Sequence, residues 1–220
     1  MFINADFSRP AVVTPDAHHW LPSPQPGVER VMLDRVGGEI ARATSIVRYA
    51  PRSNFPRHQH PGGEEILVLS GTFSDEERDY PAGWYLRNPP GSGHRPSSAD
   101  GAVIFVKLCQ MQPTESSALR VDTRDPANWS DAQGCSVCRL YGDDQESVCL
   151  IRLQPGQRLP VDGARAVELL LLQGALLQAS HPYDSGSWLR FPAGHNVALR
   201  AGNDGATVYL KATRPQASPA

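Results

Sequence analysis

His58-Gln59-His60 places two histidines one residue apart, and Glu64 follows after the turn Pro61-Gly62-Gly63. On a strand, side chains at i and i+2 face the same side, so both imidazoles can converge on one point. The turn then brings the chain back and delivers the Glu64 carboxylate. His94, just after the turn-rich stretch Pro89-Pro90-Gly91-Ser92-Gly93, offers a third imidazole. Three neutral imidazoles and one carboxylate are a suitable donor set for Zn, Fe, Ni or Mn. An isolated His-x-His is most often a solvent-facing pair, because histidine is common on surfaces. Four donors with turns able to close them into one site favour the metal.

Other candidates are weaker. Cys135-x-x-Cys138 has no second cysteine pair and no adjacent histidine to complete a four-ligand zinc set, so a structural strand is expected there. His18-His19, beside Trp20 and a Pro-rich segment, reads as a surface loop, and His181-Pro182 reads as a turn. Gly37-Gly38 and the Pro61-Gly62-Gly63 glycines do not fit a phosphate-cradling loop. No Ser or Cys stands in a nucleophile arrangement.

The elements that must hold the donor set are strands. Ala43–Tyr49 alternates with β-branched character, and Ile66–Leu69, Trp84–Arg87 and Val103–Leu108 are strand-length runs between turn residues. No long segment carries a convincing 3.6-residue apolar period, so the fold class is all-β. An internal repeat sets the architecture. Glu65-Ile66-Leu67-Val68-Leu69-Ser70-Gly71 recurs as Glu168-Leu169-Leu170-Leu171-Leu172-Gln173-Gly174. At the same offset Tyr80, Gly83, Leu86-Arg87 and Pro89 fall on Tyr183, Gly186, Leu189-Arg190 and Pro192. The second copy lacks the donor set. Val161 and Gly163, or Asp162 and Ala164, stand where the first has His58 and His60, and His195 lies two positions before the counterpart of His94. That copy is expected to be structural or to form a metal-free pocket.

Composition narrows the function classes. A net charge of −2 gives no basic face for a nucleic acid. No stretch approaches the roughly 20 apolar residues of a membrane span. The amino terminus, Met1-Phe2-Ile3-Asn4-Ala5-Asp6, shows no secretory pattern, and 4 cysteines are too few for a disulfide scaffold. The expected location is the cytoplasm, with reduced thiols.

His58-x-His60-x3-Glu64-x6-Gly71 fits the first cupin motif, and Pro81-x-Gly83 with His94 fits a stretched second one. Ala43–Pro51, Phe55–Glu65 and Leu86–His94 together resemble the ChrR-like cupins. That group includes the carboxy-terminal domain of the ChrR anti-sigma factors and acetylacetone-cleaving dioxygenases. The resemblance implies a tandem cupin, two jelly-roll β-sandwich or barrel repeats, with His58, His60, Glu64 and His94 as metal ligands. It implies one divalent transition metal, Zn or Fe first, with Mn and Ni also compatible. The expected boundaries are a metal-binding cupin over 1–112, a linker over 113–130, a degenerate cupin over 131–214 and a tail over 215–220.

Two function classes follow from the resemblance. One is a ligand- or oxidant-responsive regulatory module related to the anti-sigma factors, with a sigma factor as the implied partner. The sigma-gripping domain of those regulators carries His-x3-Cys-x2-Cys, and here Asp131 stands at the histidine position before Cys135 and Cys138. The chain is therefore expected to be the sensing module without that domain. The other class is a mononuclear dioxygenase acting on a small β-diketone or related ketone. Either takes a small-molecule ligand or substrate, neither needs a nucleic acid or a membrane, and a homodimer is compatible with both. Arg48, Tyr49, Glu65 and Tyr85 are candidates for the pocket wall, their facing left open by strand parity.

Overall fold

The computed structural model describes residues 1–38, 40–179 and 181–214; the expected tail lies outside them. The described chain is strands and turns with two short 3-10 turns, Pro15–Ala17 and Pro126–Asn128. Among the described residues no helix is long and apolar enough to cross a membrane. His181-Pro182, expected as a turn, instead opens the strand His181–Asp184, paired with Ala175–Gln178.

The chain divides into two compact units, and their limits cut across the expected ones. Unit 1 is Met1–Ala5 with His19–Arg124, and unit 2 is Asp6–His18 with Asp125–Ala220. The reason is backbone pairing at the sheet edges. Leu119–Asp122, inside the expected linker, pairs antiparallel with Trp84–Arg87 and closes the edge of unit 1. Ala11–Val13 pairs with Trp188–Arg190 in the same way and belongs to unit 2. Each edge strand is followed by one of the 3-10 turns and a tryptophan, Trp20 or Trp129. Arg48 stacks over Trp20 at 4.3 Å and Arg152 over Trp129 at 3.7 Å, so the repeat extends to residues before Val47.

In unit 1 the main sheet runs antiparallel through Phe2–Ile3, Val28–Gly37, Ala41–Tyr49, Ala102–Leu108, Glu64–Ser74, Trp84–Asn88 and Leu119–Asp122. A separate two-stranded ribbon pairs His58–His60 with Ser92–His94. Unit 2 repeats the order with Cys135–Gly142, Glu146–Leu153, Leu199–Thr213, Ala166–Gln178 and Trp188–Phe191. Alternation sends successive side chains of each strand to opposite faces of its sheet. Val28, Tyr49, Ile66, Val68, Phe73, Leu86 and Ile104 are among the core of unit 1. The adjacent residues point the other way. Glu65 is buried against Arg87, whose Nη1 donates to Glu65 Oε2 at 3.1 Å and whose Nη2 donates to Glu115 Oε2 at 2.7 Å.

Gly71 and Gly174 show why the repeat keeps glycine after the long strand. Both lie in the left-handed region, at φ +68° and +75°, and an added Cβ would run into the carbonyls of Gly101 and Gly205. Gly91 has a similar φ of +81° but open space around it. We expect Gly71→Ala to cost more than the ~1–2 kcal/mol of a left-handed non-glycine residue, and Gly91→Ala to cost only that. Thermal unfolding of the two variants checks it, and equal losses would show that the Gly101 carbonyl is not the constraint.

Candidate metal centre

The ribbon and the start of one long strand build the site. His58 and His60 are two residues apart on one ribbon strand, and His94 lies directly opposite His58 on the other. Glu64 is the first residue of Glu64–Ser74, reached through the Pro-Gly-Gly turn, in which the Gly63 N–H donates to the His60 carbonyl at 3.2 Å. One ligand atom from each of His58, His60, Glu64 and His94 falls within 4.8 Å of the others. His60 Nε2 lies 3.2 Å from His58 Nε2 and 3.3 Å from Glu64 Oε2, while His94 Nε2 lies 3.4 Å from the same oxygen. The four residues of the sequence expectation are brought together. His60, Glu64 and His94 are buried and His58 is half-buried.

The outward nitrogen of each imidazole has a partner that fixes its ring. His58 Nδ1 lies 3.1 Å from the Pro56 carbonyl, and His60 Nδ1 lies 3.2 Å from Ser92 Oγ. His94 Nδ1 faces Asp75 Oδ2 at 3.9 Å. Such partners orient a metal-binding histidine and select its tautomer. Asn88, paired across the sheet with Glu64, donates from Nδ2 to Glu64 Oε2 at 3.0 Å. Burial pushes the Asp75 carboxyl up, but His94 and the backbone N–H groups of Glu77 and Arg78 outweigh it and hold it below its ordinary range. Burial lowers the His60 pKa, and the nearby His94 and His58 add to that against the pull of Glu64. His60 is therefore held as the neutral imidazole that a metal requires. His94 Nε2 is buried with no hydrogen-bond partner, although it points into the cluster. A buried nitrogen lone pair beside a carboxylate and two more imidazoles fits a divalent cation.

The cluster opens into a cavity of about 280 Å³ lined by His58, His60 and Glu64 and, among others, Val47, Tyr49, Phe55 and Ile104. Tyr49 thus faces the site, and burial, then the Glu64 charge, raise its pKa and keep the phenol protonated. Glu65 faces away, toward Arg87. Arg48 also turns away and pairs with Glu29 at 2.6 Å. Tyr85 is buried and takes no part in the cavity lining. Sequence reasoning gave no role to Asp75, Asn88 or Ser92. Asn88 and Ser92 are marked only by strand pairing with Glu64 and His60, and Asp75 only by its approach to His94, none of which is visible before the fold is known.

Unit 2 has no such cluster among the described residues. Val167 opposes Ala212 as Glu64 opposes Leu108, so a valine occupies the carboxylate position. Val197, the counterpart of His94, is buried in the apolar core, and Val161 packs against it. His195 stacks on Phe191 at 5.0 Å. Unit 2 holds instead a cavity of about 760 Å³ whose lining includes Val137, Val161, Val167 and Leu210. Cys135 and Cys138, three apart on one strand, face opposite sides. Burial raises the Cys138 thiol to about 11 despite Arg152, and the Cys149 thiol to about 12. Protonated thiols are poor ligands, which agrees with a structural role for the pair.

Residues 8–112 match the family described as ChrR cupin-like domain, and the chain carries that domain. Among curated proteins none matches the sequence. Solved structures match along nearly the whole chain. A bacterial pirin from Escherichia coli, in complex with nickel(II), is 12% identical with a TM-score of 0.70, over 94% of this chain and 100% of that one. A cupin 2 conserved barrel domain protein from Leptotrichia buccalis is 10% identical with a TM-score of 0.61, over 97% and 100%. Vicilin from Corylus avellana is 12% identical with a TM-score of 0.62, over 92% and 85%. At these identities the likeness is one of fold, and the fold is a tandem cupin.

Glu64 and Glu65 separate the site from the scaffold. Glu64→Gln is expected to weaken metal binding about tenfold or more, as loss of a ligand does, with little change in folding. Glu65→Gln is expected to leave metal affinity within about twofold and to cost about 2 kcal/mol, the scale of a buried hydrogen bond to a charged group. Competition titration with a chromogenic chelator, alongside thermal unfolding, reads both. Equal losses of metal affinity would show that Glu64 is not the ligand.

Proposed function

We propose that unit 1 holds one divalent transition metal on His58, His60, Glu64 and His94, and that the chain is a mononuclear dioxygenase of small carbonyl compounds. The observation that carries this reading is the cavity: three of the four donors, His58, His60 and Glu64, stand at the wall of a small, mostly apolar chamber rather than in a closed shell. Structural metal sites are sealed by protein ligands, whereas catalytic ones keep positions open. Four protein ligands leave two positions of an octahedral ion for a bidentate ligand or O2. A redox-active ion such as Fe(II) would supply electron transfer to O2, which Zn does not.

The chain's own residues supply the rest. Val47, Phe55 and Ile104 keep water from the chamber and offer apolar contact to a small ketone. Tyr49 brings its protonated phenol to the same wall. Asn88 and the Asp75–His94 contact keep two of the donors in place while a ligand enters. In the reaction one carbon–carbon bond of a β-diketone breaks and both atoms of O2 enter the two fragments, so no further reductant is required.

The family match over residues 8–112 supports a second reading, a regulatory module in which a ligand at this site alters association with a protein partner such as a sigma factor. The two differ in turnover. Fe(II)-loaded full-length protein is expected to consume O2 with pentane-2,4-dione, Zn-loaded protein to be inert, and His94→Ala to lose the uptake. An oxygen electrode measures it. No uptake across a panel of small ketones with iron bound would overturn the enzyme reading, and metal-dependent binding of a sigma factor would favour the regulator.

A further inference from the structure

Among the described residues Arg30 is the one charged side chain lining the site cavity outside the donor set. It lies on Val28–Gly37 directly across from Val47, and Val28, two residues before it on the same strand, belongs to the apolar core. Strand alternation therefore turns the side chain to the inner face, where the half-buried residue joins Val28, Val47 and Ile104 in the cavity lining. Its Nε is buried and has no hydrogen-bond partner, and no ion pair reaches the side chain among the described residues. The nearby acids are engaged elsewhere: Glu29 with Arg48, and Asp34 with Arg42. Glu64, in the same lining, is 3.0 Å from Asn88 and within 3.4 Å of two imidazoles.

A buried donor without an acceptor is costly, and native structures rarely keep one with nothing to meet it. Replacing Arg30 by an apolar residue would match its neighbours and remove that cost. Guanidinium groups present parallel N–H donors that suit a carboxylate. The electrostatics agree: a divalent ion with one carboxylate ligand leaves a net positive centre, and Arg30 adds to it. The volume of about 280 Å³ admits only a small molecule.

We infer that the natural ligand of this site is a small oxo-carboxylate, whose carbonyl end binds the metal and whose carboxylate is held by Arg30. The inference rests on the reading of unit 1 as a small-molecule metal site. In this arrangement Arg30 is a specificity residue: it selects an anionic substrate over a neutral ketone of the same shape and takes no part in holding the metal.

Two probes differ by the group in question. Pentane-2,4-dione is neutral, and 2,4-dioxopentanoate is the same diketone with a carboxylate in place of one methyl. Each is titrated into Co(II)-loaded full-length protein, with the visible spectrum of the ion as the readout and metal content checked for every variant. Wild type is expected to bind the carboxylate about tenfold or more tightly than the neutral diketone, the scale of a charge-assisted hydrogen-bonded pair. Arg30→Met, close in volume, is expected to bring the two within about twofold while leaving metal content and diketone affinity unchanged. Arg30→Lys keeps the charge without the fork and is expected to retain part of the preference. Equal binding of the probes by wild type, or a preference that survives in Arg30→Met, would overturn the role of Arg30 and leave the metal site standing. A loaded protein whose spectrum neither probe changes would overturn the small-molecule reading itself, and the inference with it.

Discussion

Four electron-pair donors crowd within 4.8 Å of one another in unit 1, and the surrounding structure is arranged to keep them there. Three imidazole nitrogens and a carboxylate have no mutual attraction that would gather them all while the imidazoles are neutral. The cost of holding them is met by geometry. A two-stranded ribbon presents three rings, a glycine turn returns the carboxylate, Pro56, Ser92 and Asp75 face the outward ring nitrogens, and Asn88 holds the carboxylate. Burial lowers the His60 pKa, so the cluster does not relieve its crowding there by taking up a proton. A divalent cation would join four donors of this kind.

The second unit shows what the same fold does without that constraint. Valines stand at the counterparts of Glu64 and His94, and Val197 is part of a continuous apolar core. Yet other features recur in both units. The glycines at 71 and 174 occupy the same tight approach, and Glu65–Arg87 has its counterpart in Glu168 opposite Arg190. All four of those charged residues are buried. The scaffold is thus common to both halves, and the donor positions separate a candidate metal centre from an apolar interior.

Much of this was legible in the residues. The His-x-His spacing and the Pro-Gly-Gly turn place three donors by strand parity alone, and the repeat of Glu65–Gly71 at Glu168–Gly174 reveals two units. The edge strands were not legible. Ala11–Val13 is three residues long, and its partner lies at Trp188–Arg190, too far along the chain for any local pattern to join them. The same holds for Leu119–Asp122, whose polar surroundings read as a linker. Arg30 shows another limit. Alternation with Val28 marks its inward face, but only the folded barrel shows that a cavity, and not a core, lies in front of it.

X-ray absorption at the edge of the bound metal, on the full chain loaded with one equivalent of Fe(II) or Co(II), tests the donor assignment most directly. The account predicts a shell of light nitrogen and oxygen atoms at about 2 Å, with the outer-shell scattering of three imidazole rings and no sulfur. A sulfur shell would instead place the ion on the cysteines, and a shell of oxygen alone would place it on surface carboxylates. Either result would contradict a centre built from His58, His60, Glu64 and His94.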